Sequence, residues 1–206
     1  MQIFHSARFV LSVADLAALP APTWPEIAFA GRSNAGKSTA INVLTQQKRL
    51  AFASKTPGRT QLLNFFELSE RNDQGERVPR GYLVDLPGYG YARTPETQRS
   101  QWDVLVGGYV AHRQSLVGIV IVMDARRPLM PGDEALLAFL EGPTRHIHLL
   151  LTKSDQLNNS EKRSALDRAR RRAAELRPPA TAQLFSALKR QGVEELGTVL
   201  EGWLRE

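Results

Sequence analysis

Residues 31–38 read GRSNAGKS and stand directly behind the apolar run Glu26-Ile-Ala-Phe-Ala30. The spacing satisfies G-x-x-x-x-G-K-[ST] at every fixed position. A buried strand that breaks into a glycine-bounded loop and resumes as a helix, here from Lys37 to about Gln47, belongs to the α/β class. It also presents a phosphate cradle. Glycines let the backbone wrap closely, successive N–H groups point inward, and the helix offers the positive end of its dipole. Lys37 is placed to reach the β- and γ-phosphates of a nucleoside triphosphate, and the Ser38 hydroxyl to ligate Mg²⁺.

The rest of the chain alternates in the same way. Leu62–Leu68 and Gly81–Asp85 read as an antiparallel hairpin about the polar stretch SERNDQGERVPR. Gly118–Asp124, His146–Thr152 and Thr181–Ser186 are short apolar runs of the kind that form parallel strands covered on both faces. Helices are expected over Pro95 to about Ser115, Asp133 to Glu141, Ser160 to Leu176 and Val193 to Arg205, with Asp133 and Ser160 as N-caps. The alternation runs to the end of the 206 residues without a boundary, so residues 23–206 are read as one domain and residues 1–22 as an N-terminal extension.

Composition narrows the chemistry. The absence of cysteine excludes disulfides, zinc–thiolate sites, iron–sulfur clusters and cysteine nucleophiles. With 42% apolar and 23% charged residues the chain has the makings of a packed core. No apolar stretch approaches the roughly 18–20 residues of a membrane span, and the N-terminus lacks a signal-peptide block, so a cytoplasmic protein without membrane attachment is expected. The net charge of +6 is compatible with a polyanionic partner and equally with plain solubility.

Three further stretches follow predicted strands. In Thr152-Lys153-Ser154-Asp155 a carboxylate can accept hydrogen bonds from guanine N1–H and its 2-amino group, which adenine does not offer, so Asp155 selects GTP over ATP. Ser186 and Ala187, after the last strand, can add backbone contacts to the base edge. In Asp85-Leu86-Pro87-Gly88 the carboxylate can hold Mg²⁺ through water, and the Gly88 amide can bond the γ-phosphate and report its presence. Upstream, KTPGRTQ supplies Thr60 as a further Mg²⁺ ligand, with Thr56 as the alternative.

The order of these motifs resembles the translation-factor-related small GTPases and in detail the EngB family of bacterial ribosome-biogenesis GTPases. The resemblance rests on PEIAFAGRSNAGKST, KTPGRTQLLNFF, DLPGYGYA, LTKSDQL and FSALKRQG, and it runs from about Phe9 to the C-terminus. It implies a Ras-like P-loop GTPase fold with a mixed six-stranded sheet flanked by helices. It further implies a GTP/GDP switch in assembly of the large ribosomal subunit, with a link to cell division and septation, and the protein is expected to be a monomer. Carried over by position, Gly31, Arg32, Ser33, Asn34, Ala35, Gly36, Lys37, Ser38 and Thr39 form the phosphate loop. Gly58, Arg59, Thr60, Gln61 and Leu62 form the first switch, and Asp85 to Gly88 open the second. Thr152 to Asp155 with Phe185, Ser186 and Ala187 hold guanine. Magnesium falls to Ser38, Thr60 and Asp85, and the groups acting in hydrolysis are Lys37, Thr60 and Gly88. Thr152 stands where asparagine is commoner, and its hydroxyl can still tie the base loop to the phosphate loop.

Tyr89 follows the D-x-x-G stretch where many GTPases place a water-orienting glutamine, so turnover near the unassisted level of about 10⁻⁴–10⁻³ s⁻¹ is expected. The resemblance makes Asn34 a candidate for helping to bind K⁺ beside the phosphates. Tyr89 and Tyr91 are flanked by glycines and read as a loop whose exposure differs between nucleotide states. Lys162, Arg163, Arg168, Arg170, Arg171 and Arg172 lie mostly off the stripe formed by Leu166, Ala169, Ala173 and Leu176. They form either a solvated face or a surface for ribosomal RNA phosphates. His146 and His148 share a strand face and read as packing or edge histidines. Trp102, Tyr109 and Trp203 read as packing residues. Two other functions stand beside the ribosomal one: an ATP-dependent kinase, which the TKSD stretch argues against, and a GTPase acting directly on the division apparatus.

Overall fold

Side chains on a strand point alternately to its two faces, and here both faces are apolar. Along residues 27–30, Ile27 and Phe29 enter one buried cluster while Ala28 and Ala30 enter another. Residues 119–123 divide the same way, with Ile119, Ile121 and Met123 on one side and Val120 and Val122 on the other. Such a sheet must be covered by helices on both sides. The structure is a computed structural model and describes residues 1–52, 62–89, 103–141 and 145–206.

Among these residues the strands are β1 (Arg8–Val13), β2 (Glu26–Gly31), β3 (Leu63–Arg71), β4 (Arg77–Asp85), β5 (Leu116–Asp124), β6 (His146–Thr152) and β7 (Thr181–Leu184). The helices are α1 (Gln2–His5), α2 (Lys37–Leu44), α3 (Gly108–His112), α4 (Pro131–Leu140), α5 (Asn159–Glu175) and α6 (Val193–Trp203). The strands form one seven-stranded sheet in the order β1-β3-β4-β2-β5-β6-β7. β1/β3 and β3/β4 are antiparallel, and every pairing from β4 through β7 is parallel. Side chains of α3, α4 and α5 pack on one face, and those of α1, α2 and α6 on the other.

The sheet has seven strands where six are expected, and the seventh comes from the first 22 residues. Residues 8–13 pair with β3 as an edge strand that is exposed over most of its length, and the apolar run Phe9-Val10-Leu11 blurs the alternation that would announce it. Phe4 and Val13 are nevertheless buried. The polar stretch after Leu68 is also mostly strand. β3 and β4 extend along it to a turn in which Asn72 N–H donates to the Glu76 carbonyl at 3.0 Å and Gly75 takes a positive φ of 80°.

Two helix starts differ from expectation. Asp133 sits inside the first turn of α4 behind the N-cap Met130, whose N–H donates to Asp133 Oδ2 at 2.9 Å. α5 is capped by Asn158, not Ser160. Asn158 Oδ1 accepts from Glu161 N–H at 3.0 Å and Asn158 N–H donates to Glu161 Oε2 at 2.8 Å, a reciprocal capping box. Of the helix expected from Pro95, residues 95–102 lie outside the described residues. The described part is a π-helical turn over Asp103–Gly107 followed by α3. It brings Tyr109 and Arg113 onto the fully buried Glu26 carboxylate. Among the described residues no helix is long and apolar enough to cross a membrane.

Candidate functional site

The loops that follow β2, β4, β6 and β7 all leave the same edge of the parallel part of the sheet, where open α/β sheets hold their ligands. The phosphate loop is shaped first. Gly31 ends β2 against β5, and a Cβ there would come within 2.7 Å of the Val122 carbonyl oxygen, so the position excludes any side chain. Asn34 and Gly36 take positive φ values of 65° and 98° and turn the chain into α2, which begins at Lys37. Ala35 is buried, Arg32, Ser33, Lys37 and Ser38 are half-buried, and Thr39 is exposed.

Lys37 and Asp85 form an ion pair across the head of the sheet, with 11% and 5% of their side chains exposed. Burial holds the Asp85 carboxyl above the usual carboxylate range, and the Lys37 ammonium opposes that shift. A cation donor suited to phosphate and a carboxylate suited to a hydrated metal thus stand within contact of one another. The Ser38 hydroxyl starts the adjoining helix. These are hard oxygen ligands and a positive counter-charge, a set that fits Mg²⁺ with a triphosphate.

The residues after β6 are joined to the phosphate loop. The Thr152 hydroxyl donates to the Ala35 carbonyl and also lies 3.0 Å from the Met123 carbonyl. Lys153, in the left-handed region at φ 57°, donates to the Asn34 carbonyl at 2.7 Å and to Asp124 Oδ2 at 2.9 Å. Partial burial pushes the Asp124 carboxyl up. Hydrogen bonds from Arg126 and Lys153 outweigh that and hold it well below the usual range, so it is a standing anion beneath the loop.

Asp155 is half-buried, and its Oδ1 accepts from the Ser186 hydroxyl at 2.5 Å. Ser186 Oγ in turn accepts from Lys189 N–H at 3.1 Å. A carboxylate has about four lone-pair sites, so this bond orients Asp155 and leaves it able to accept more. The Phe185 ring is buried in the core. What Phe185 brings to the site is its backbone, whose carbonyl takes Ser154 N–H at 3.2 Å. The half-buried Ala187 follows Ser186 at the open side.

After β4, Leu86 N–H donates to the Phe29 carbonyl at 3.0 Å, which continues the β4/β2 alignment past Asp85. Leu86 is buried and Pro87 and Gly88 are half-buried. A Cβ on Gly88 would lie 3.0 Å from Ser33 Oγ, so this glycine packs directly on the phosphate loop. Tyr89 bridges Arg32 in parallel register and its hydroxyl donates to Asp133 Oδ1 at 2.9 Å. Burial, and the Asp133 carboxylate beside it, raise the Tyr89 phenol above its ordinary value. Leu62 is half-buried immediately before β3.

Gly58, Arg59, Thr60 and Gln61, and with them Thr56, Tyr91 and Trp102, lie outside the described residues. Sequence reasoning missed Asp124 and Asp133. Asp124 closes a predicted strand and could have been marked from its place at that tip, whereas Asp133 reads in the sequence as a helix N-cap and only the fold brings it to Tyr89.

Residues 26–153 match the model of a family described as 50S ribosome-binding GTPase. A GTP-binding protein EngB of Ralstonia pickettii is 50% identical over 210 residues, covering 99% of this chain and 89% of the relative. The EngB of Aromatoleum aromaticum is 51% identical over 204 residues, covering 99% and 90%. Among solved structures, a GTP-binding protein engB superposes with a TM-score of 0.61 at 21% identity over 87% of this chain and 98% of that one. Era of Aquifex aeolicus bound to GDP and AlF₄⁻ superposes with a TM-score of 0.65 at 21% identity, over 88% of this chain and 57% of that one.

Proposed function

The chain belongs to the EngB family of GTP-binding proteins, and we propose that it is a slow GTP-operated switch in assembly of the large ribosomal subunit. It is a GTPase. The observation that carries the reading is the fastening of the base loop to the phosphate loop, Thr152 to Ala35 and Lys153 to Asn34, which ties the loop of Asp155 to the loop of Lys37.

In this reading the loop amides and Lys37 bind the β- and γ-phosphates, Asp155 accepts from the guanine edge, and Ser186 keeps that carboxylate turned toward it. Ser38, Thr60 and a water on Asp85 would hold Mg²⁺, which would supply positive charge against the charge that develops on the phosphates during hydrolysis. Asn34, at the exposed turn of the loop, helps to bind K⁺. Gly88 and Thr60 make the contacts that differ between GTP and GDP, and only such differences move a switch. Tyr89 supplies no side-chain amide to orient the attacking water, which supports turnover of about 10⁻⁴–10⁻³ s⁻¹ without assistance.

The family-model description and the basic surface support the ribosomal role, and the link to division and septation rests on the resemblance alone. A cytoplasmic monomer is consistent with both. The family-model description favours the ribosome over direct action on the division apparatus. Titration with GTP, GDP and ATP in Mg²⁺ tests the nucleotide, with guanine preference expected in the wild type and lost in Asp155→Ala. Co-sedimentation with large ribosomal subunits in GTP against GDP tests the partner. Binding that ignores the nucleotide, or that is absent in both, would remove the ribosomal reading.

A further inference from the structure

Tyr89 is fastened at both ends. On the backbone side Ser33 N–H donates to the Tyr89 carbonyl at 3.0 Å and Tyr89 N–H donates to the Gly31 carbonyl at 3.3 Å. This parallel bridge prolongs the β2/β4 alignment onto the phosphate loop. The side chain runs to α4, where the hydroxyl donates to Asp133 Oδ1 at 2.9 Å and the ring lies on Gly132, at which a Cβ would come within 3.3 Å of Tyr89 Cδ2. Asp133 is 1% exposed, and its other oxygen accepts from Met130 N–H at 2.9 Å, so the carboxylate cannot swing away without uncapping α4. Burial raises the Asp133 carboxyl above its ordinary range, while the Met130 and Tyr89 bonds pull it back.

The consequence falls on Gly88, one residue earlier. It is held against Ser33, and the Ser33 amide, one of the N–H groups of the phosphate loop, is spent on Tyr89. Asp85, at the other end of the same short segment, is paired to Lys37. Lys37 meets the β-phosphate of either nucleotide, but a third phosphate that recruits the Gly88 amide must shift this segment, and shifting Tyr89 leaves a buried carboxylate oxygen short of its donor. Such a loss costs more than the bond is worth at the surface.

We propose that Asp133 is a positioning residue for nucleotide discrimination: through the Tyr89 hydroxyl it holds Gly88 and Tyr89 on Ser33, the arrangement that favours the diphosphate over the triphosphate. The proposal rests on the GTP-switch reading above. Its action is on the ratio of two affinities, not on binding as such, because a contact present in only one of two conformations shifts their balance by its own free energy.

The test measures dissociation constants for GDP and for the non-hydrolysable triphosphate GMPPNP, with Mg²⁺, in the full chain. Tyr89→Phe deletes the hydroxyl and keeps the ring. It is expected to improve GMPPNP binding relative to GDP by roughly 10- to 100-fold, the effect of removing one hydrogen bond to a carboxylate. Asp133→Asn keeps an acceptor for Met130 N–H and weakens the bond to the phenol, so a smaller shift in the same direction is expected. The double variant should go no further than Tyr89→Phe alone. A ratio unchanged within twofold in both variants, or equal changes in both affinities, would overturn the proposal. If the wild type binds GDP and GMPPNP tightly in that experiment, the switch reading stands without it; if it binds neither, both fall.

Discussion

The Thr152 hydroxyl donates to the carbonyl of Ala35, a residue 117 positions earlier in the chain. One side chain thereby joins the strand tip that carries Asp155 to the loop that carries Lys37. The same hydroxyl lies 3.0 Å from the Met123 carbonyl, so it is shared between β5 and the phosphate loop. Replacing Thr152 with valine keeps the shape and removes the donor. The loss of a buried donor to two carbonyls is expected to cost about 1–3 kcal/mol, seen as a melting temperature lower by roughly 2–10 °C. Guanine nucleotides should also bind more weakly, while Thr152→Ser should restore most of both losses. Equal melting of wild type and Thr152→Val would refute the tie.

The sequence made that tie legible because the residues that form it sit in motifs of fixed spacing, each placed directly after a strand. Gly31, Lys37, Asp85, Asp155 and Ser186 all reach the site for the same reason. The edge strand at residues 8–13 was not legible, since the consecutive apolar residues Phe9, Val10 and Leu11 obscure its alternation and only Val13 is buried. Nor was the role of Asp133. Its partner Tyr89 is 44 residues away and the pairing exists only because α4 folds over the end of β4. Local patterning finds what the backbone must do nearby, and pairings between loops depend on the packing of the elements between them.

His148 supplies a pH dependence. It is 1% exposed, bonded to Thr181 Oγ1 at 2.7 Å and Gln183 Oε1 at 3.1 Å, and burial lowers its pKa to about 4. The unfolded chain takes up this proton near pH 6.5 and the folded chain only near 4. The stability is therefore fully present above pH 6.5 and is lost as pH falls toward 4. At 1.36 kcal/mol per pH unit the interval is worth about 3 kcal/mol. Chemical unfolding at pH 7 and pH 4.5 should show most of that loss in the wild type and much less in His148→Gln. Parallel pH profiles for the two proteins would count against it.

The arginines of α5 divide into two groups. Arg172, with 18% of its side chain exposed, pairs with Glu134 at 2.8 Å and with Glu141 at 3.6 Å, so it clamps α5 to α4. Arg170 and Arg171 are exposed. Charge reversal at Arg170 and Arg171 is expected to change stability by no more than about 0.5 kcal/mol. If an RNA backbone is the partner, it should weaken binding to the large subunit and reduce the slope of log K against log salt by about 1 for each phosphate no longer neutralised. Arg172→Ala is expected to cost about 1 kcal/mol of stability, given that its carboxylate partners are partly solvated. A triple reversal that includes Arg172 would confuse the two effects. Unchanged subunit binding in the Arg170 and Arg171 variants, measured by co-sedimentation across salt, would leave the basic face as a solvated one.

Ser154 carries an unusual cost. Its hydroxyl is fully buried and, among the described residues, has no hydrogen-bond partner, while its N–H is satisfied by the Phe185 carbonyl at 3.2 Å. A desolvated hydroxyl without a partner opposes folding, and alanine at the same position removes the oxygen while keeping the backbone bond that holds the base loop against β7. Ser154→Ala is thus expected to raise stability by up to about 1 kcal/mol and to leave the preference for guanine nucleotides intact, because Asp155 keeps its bond to Ser186. Calorimetric melting together with GDP titration checks both halves. A lower melting temperature would mean that the hydroxyl is bonded in solution, and weaker GDP binding at unchanged stability would place that bond on the nucleotide side of the loop.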